Sequence, residues 1–275
     1  MISHGLFTWI TLILLTAGTM IGLLGMIARK KGLQRIGCLT TAVAFLFQTA
    51  TLCSGFHKSF AGGLSSGAYL QMLAWFVCFS ALVLWLRFKL ASALTLAAPF
   101  CAALFAISLP LLDAAIRIPN ELSTSFYVLH VASLFISLAA MALSCIASVL
   151  FLFLERRIKS KQRVQGFLKD IPALSVLDTI NGICLLTAFP AYTIGILTGL
   201  VRAQSIFGAT FTGDPKEIIS FIVWGLLAFV FHNRLASSWT GRKPALTMVF
   251  IFGLSLFSLL IINTVMDSHH AFLAR

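Results

Sequence analysis

Charge is what this sequence has least of. Its 275 residues include 20 basic and only 8 acidic side chains, so 10% of the chain is charged. A soluble domain carries about 25%. So few charges cannot coat a globule of this size, which excludes water as its main solvent. The eight acidic residues form no paired carboxylate centre, and no hydrolase triad or phosphate-binding loop is present. The apolar runs hold almost no charge, which argues against ion- or proton-coupled transport. The six cysteines (Cys38, Cys53, Cys78, Cys101, Cys145 and Cys184) include no CxxC pair. Neither a zinc site nor a thioredoxin-like motif is therefore suggested, and the thiols read as small apolar residues. The net charge of +12 is spread over short loops rather than gathered on one patch, which fits membrane topology better than a nucleic-acid partner.

What the sequence has instead is long apolar runs. Some 59% of its residues are apolar, and the mean hydropathy is +0.99. A helix needs about 20 mostly apolar residues to cross a bilayer. Eight stretches qualify, roughly 6–28, 36–54, 69–86, 90–112, 126–154, 179–201, 217–234 and 244–265. The expected fold is therefore all-α, a polytopic transmembrane bundle of about eight spans in contact with lipid. The first run has no positive residue before it and RKK after it, the reverse of a signal peptide, so it reads as a retained span. Residues 1–275 read as one integral membrane domain, with spans one to four in 1–118 and the rest in 119–275. The segment 155–178 is the longest polar connection.

Fifteen of the twenty basic residues follow spans one, three, five and seven. The other five are Lys58, Arg117, Arg202, Lys216 and Arg275. By the positive-inside rule the first group is cytoplasmic, and both termini lie outside. The stretch FTGDPKE, 211–217, then sits on the outer side against the mouth of span seven. It reads as a helix start, with Gly213 or Asp214 as N-cap and Pro215 at the first helical position. On the same side the topology brings His130, near the start of span five, to the level of His269 and His270, after span eight. Two neutral imidazoles can clamp a haem iron from opposite faces, although an interfacial histidine also serves ordinary local hydrogen bonding. His232 falls at the cytoplasmic end of span seven.

The run from FGATFTGDPKE through VWGLLAFVFHNR, SSWTGRKPA and N…SHHAF resembles the C-terminal half of the cytochrome c assembly protein family. That family includes CcsA-type haem-handling proteins and the related HemX-like membrane proteins. Its signature is a tryptophan-rich loop, WGxxWxWDxxE, then a span, a cytoplasmic HxR, a W-x-GRK turn and a final outer histidine. Gly208, Asp214 and Glu217 match that loop, Trp224 matches a tryptophan of the next span, and Trp239, Gly241, Arg242 and Lys243 match the basic turn. The three loop tryptophans stand here as Phe207, Phe211 and Gly213.

The resemblance implies that His130 and His270, with His269 as the close alternative, are axial ligands of haem b. It implies that His232 receives haem on the cytoplasmic side, and that Lys216 or Arg202 meets a propionate. The function it implies is presentation of haem at the outer face of a bacterial plasma membrane for attachment to apocytochrome c. A CcsB-like membrane partner is expected with it. The alternative is a HemX-like regulator of haem biosynthesis that acts through protein partners. We predict that cysteines placed at 130 and 270 will be labelled by an impermeant reagent from the same, outer side. Labelling from opposite sides removes the paired-histidine reading.

Overall fold

A computed structural model describes residues 2–62, 66–112, 124–161 and 171–259. These residues form eight α-helices: α1 (Ile2–Ile27), α2 (Lys31–Gly62), α3 (Ser66–Phe88), α4 (Ala91–Ser108), α5 (Thr124–Lys159), α6 (Leu174–Phe207), α7 (Pro215–Ala236) and α8 (Arg242–Phe257). A short 3-10 turn, Leu109–Leu111, follows α4. The protein is an all-helical polytopic bundle. Among the described residues seven helices are long and apolar enough to cross a membrane. The eighth expected span, 244–265, runs beyond the 16 residues of α8 into residues outside the described set. Several helices outrun the expected spans: α2 starts at Lys31 and α6 at Leu174. The connection 155–178 is consequently shorter than its polarity suggested, since α5 continues to Lys159 and Asp178 already stands in the first turns of α6.

The chain divides into two compact units. The first holds α1 to α4 with residues 153–174, and the second holds 119–152 and 175–275. In the first unit many large apolar side chains point out, and small or hydroxylated residues share the interior with a few such as Leu15, Leu73 and Phe105. On α1, Leu6, Trp9, Ile13, Met20, Leu24 and Ile27 are each at least 53% exposed, whereas Thr8, Thr11, Leu15 and Thr19 are buried. Lipid tails solvate Leu as well as a protein core does, so close backbone packing drives association instead. At Gly22 and Gly37 the backbones of α1 and α2 meet so closely that a Cβ on Gly37 would strike the Gly22 N and Cα. Two of the buried threonines bond back to their own helix: Thr11 donates to Phe7 O at 2.8 Å and Thr41 to Gly37 O at 3.0 Å. This local bond lets a polar residue stay in a lipid-crossing helix.

In the second unit α5 and α6 run antiparallel along a seam of small and polar side chains. His130, Ser137 and Ser144 recur every seven residues on α5, opposite Gly195, Ala188 and Asn181 on α6. Ser137 donates to Ala188 O at 2.8 Å. Asn181 is buried with both amide atoms engaged, accepting from Ser144 and donating to Ser148 at 3.1 Å. A buried amide satisfied on both sides fixes the register of two helices, because a slip leaves it unpaired.

At the far end of the same unit an ion pair ties three helices together. Arg234, in the last turn of α7, holds both carboxylate oxygens of Asp178 at 3.1 and 2.8 Å, and Asp178 Oδ1 also accepts the Gly241 N–H at 2.9 Å. Arg234 further donates to Trp239 O at 3.0 Å, so the α7–α8 turn hangs on this one knot. Both side chains are mostly buried, at 17% and 15% exposure. Removing one partner of such a pair strands the other charge, at a cost of about 3 kcal/mol. Asp178→Ala should therefore lower the thermal midpoint in detergent markedly, and Asp178→Ala/Arg234→Leu should recover part of the loss. Equal midpoints for Asp178→Ala and the parent chain would show the pair to be dispensable.

Candidate functional site

His130 stands in the second turn of α5, and its surroundings fix its chemistry. Its Nδ1 lies 2.7 Å from the backbone carbonyl of Gly195 on α6. A carbonyl oxygen only accepts, so Nδ1 carries the proton and donates it. In the neutral ring the lone pair is then on Nε2, the tautomer in which a histidine ligates a metal while its other nitrogen is held by the protein. Thr198 lies in the same arrangement: its hydroxyl proton is shared between Ile194 O at 2.7 Å and Gly195 O at 3.0 Å, and its oxygen sits 3.4 Å from Nδ1. The ring reaches this position because Gly199 has no side chain, since a Cβ there would fall 2.8 Å from His130 Cε1.

Two cations belong to the same end of the unit. The charges of Arg202, in α6, and Lys216, in α7, both act on the His130 imidazole. The Arg202 guanidinium lies over the Tyr127 ring, with its carbon 4.6 Å from the centroid, a cation–π contact. The Arg202 Nε–H is buried and meets no acceptor among the described residues.

The loop that leads from α6 into α7 is held by its own side chains. Gly208 ends α6 with φ of 69°, a value that suits glycine, and its N–H donates to Gln204 O at 3.1 Å. Asp214 is the N-cap of α7: its Oδ1 accepts the Lys216 N–H at 2.8 Å, and Pro215 opens the helix. Glu217 reaches back to Thr212, accepting its N–H at 2.8 Å and its hydroxyl at 3.0 Å. Phe211 is half exposed and packs on Phe221, with centroids 6.0 Å apart. The GDPKE stretch is thus a helix start and a clamp on the preceding loop at once, with Asp214 rather than Gly213 as the cap.

Two of the expected site residues stand apart from His130. Trp224 donates its indole N–H to Thr193 at 3.1 Å and packs on Phe189. Thr193 and Gly195 are two residues apart, about 200° around α6, so Trp224 and His130 flank opposite sides of that helix. His232 is exposed on α7, sixteen residues after Lys216, which places it roughly 24 Å away along the helix axis. The Phe207 side chain and both His269 and His270 lie outside the described residues. Sequence reading singled out His130 but not Gly195, Thr198 and Gly199, which surround its ring. The signal was available: GILTG puts two glycines four residues apart, the spacing at which helices approach closely in lipid. Among the described residues no three His, Cys, Asp or Glu side chains gather as a metal cluster.

Comparison with known proteins defines the class. The family model described as cytochrome C assembly protein matches residues 64–270, most of the chain. The chain belongs to the cytochrome c assembly protein family. It is similar to proteins described as cytochrome c biogenesis protein CcsA from several organisms. The Pyropia yezoensis protein is 27% identical, with 78% of this chain and 80% of that protein covered. The Synechococcus sp. (strain CC9902) protein is 30% identical, with 77% and 78% covered. The Chlamydomonas reinhardtii protein is 32% identical over 55% of this chain and 41% of its own length, so there the match spans less than half of the relative.

Proposed function

We propose that this protein is a membrane component of cytochrome c biogenesis that holds haem as its substrate and presents it to an apocytochrome c. The observation that carries the reading is the His130 imidazole, bonded through Nδ1 to Gly195 O so that the lone pair is on Nε2, at the end of the unit that also holds Arg202 and Lys216. The Arg202 N–H supports the fit, because a buried cationic donor without an acceptor among the described residues suits a ligand that carries anionic oxygens. The biogenesis descriptions of the relatives favour this role over regulation of haem biosynthesis.

In this proposal His130 supplies one axial nitrogen and His270, or His269 beside it, the other, at the outer face of a bacterial plasma membrane. His232 is the proposed receiving residue at the cytoplasmic end of α7. Phe207, Gly208, Phe211, Asp214 and Glu217 shape the loop over the site, and Trp224 braces α7 against α6. Gly199 keeps room for the ring, and the Gly195 carbonyl keeps its proton on Nδ1. When bound, haem b supplies the vinyl carbons that the thiols of the acceptor attack. The chain contributes position and exclusion of competing ligands. A CcsB-like membrane partner and the apocytochrome are the proposed protein contacts.

The test is spectroscopic. Purified protein loaded with haem should show a bis-histidine Soret band, and His130→Ala/His270→Ala should lose it. Gly199→Leu, which crowds the ring without removing it, should weaken the band while leaving helical content unchanged. An unchanged spectrum in the double variant removes these two ligands from the proposal. Deletion of the gene should in turn abolish haem-stained c-type cytochromes.

A further inference from the structure

Tyr127 precedes His130 by three residues on α5, and Arg202 follows Gly199 by three on α6. Residues three apart on a helix share a face. The pairs His130/Gly199 and Tyr127/Arg202 are therefore successive rungs of one antiparallel seam. On the first rung the imidazole rests against a glycine, and on the second the guanidinium rests on an aromatic ring. The ring orients the guanidinium without occupying its N–H groups, because a cation–π contact uses the face of the charge.

Arg202 and Lys216 bring two cations to the end of the unit where Asp214 and Glu217 are already engaged by the loop, as the α7 cap and on Thr212. The buried Arg202 Nε–H has no acceptor among the described residues. A stranded donor in a low-dielectric setting is unfavourable, and more so on a cation. A carboxylate answers this need, since it accepts from a guanidinium edge in matching geometry and opposes its charge. Phosphate oxygens would accept from it as well. Haem, however, carries carboxylates and no phosphate.

We infer that Arg202, braced on Tyr127 and joined by Lys216, is a carboxylate seat beside His130 that selects the propionate edge of the haem and so fixes its orientation on the iron ligand. The inference rests on the haem reading above. It adds that His130 holds the iron while Arg202 discriminates among macrocycles, so the two residues fail in different ways when altered.

The experiment compares ferric haem with its dimethyl ester, in which both propionates are masked, by titration of the full chain in detergent. The parent chain should bind haem at least tenfold more tightly than the ester, with a histidine-ligated Soret band for both. Arg202→Gln should bind the two about equally and keep that band position, and Lys216→Met should reduce the preference. His130→Ala should lose the histidine-ligated band with either compound. Equal affinity of the parent chain for haem and ester, with histidine ligation intact, overturns the seat and leaves the haem reading standing. A preference retained in Arg202→Gln overturns the role of that residue. If neither compound gives a histidine-ligated spectrum with the parent chain, the haem reading itself falls, and the seat with it. The parent-chain comparison needs no variant, so a misfolded Arg202→Gln cannot shield the inference.

Discussion

The hydrogen bond from His130 Nδ1 to the Gly195 carbonyl is the constraint from which the functional account follows. It is a small interaction, on the order of 1 kcal/mol net. Its importance is chemical, since it decides which nitrogen of the ring carries a proton and so which one can meet a metal. That bond exists because the α5–α6 register is held elsewhere along the seam, by Ser137 on Ala188 O and by Asn181 between Ser144 and Ser148. A shift of one residue would turn the imidazole away from Gly195 and into the bulk of its neighbours. The polar groups in the seam thus set a geometry, and the lipid-facing residues set only a boundary.

The bilayer explains why so few charges suffice. Within lipid, helices gain little from burying Leu or Phe against one another, so tight contact between small residues and satisfied hydroxyls holds them together. Charge is kept for the ends. At one end of the second unit the Asp178–Arg234 pair closes every acceptor it offers and knots α6, α7 and the start of α8. At the other end Arg202 keeps a buried N–H without an acceptor among the described residues. One end is satisfied by the chain itself, and on the proposed function the other takes a ligand.

Much of this was legible in the sequence, for identifiable reasons. A twenty-residue apolar run has few alternatives to a spanning helix, so the all-helical bundle was readable throughout. The cap at Asp214 and the helix start at Pro215 are local, written in adjacent residues, and the structure places the cap where GDPKE indicated. Contacts between helices were less legible. Asp178 and Arg234 are 56 residues apart, and their meeting depends on helix length and rotation, which hydropathy leaves open. Reading 155–178 as one polar connection hid Asp178 in a loop, although it stands on α6. The partners of His130 were hidden for the same reason: Gly195 and Gly199 look like generic small residues until the seam is assembled. Trp224, grouped with the haem-handling half by resemblance, is set apart from His130 by rotation about α6, whereas His232 stands far along α7 from Lys216, as its place in the sequence indicated.

The most direct test of this account is the protonation state of the two His130 ring nitrogens. Nitrogen NMR of the ligand-free protein, carrying labelled histidine and assigned by comparison with His130→Ala, reads each one separately. The account predicts a protonated Nδ1 and an unprotonated Nε2 at neutral pH. A proton on Nε2 with a bare Nδ1 would contradict it, because the ring would then turn a donor, and not a lone pair, toward the place where the iron is proposed to bind.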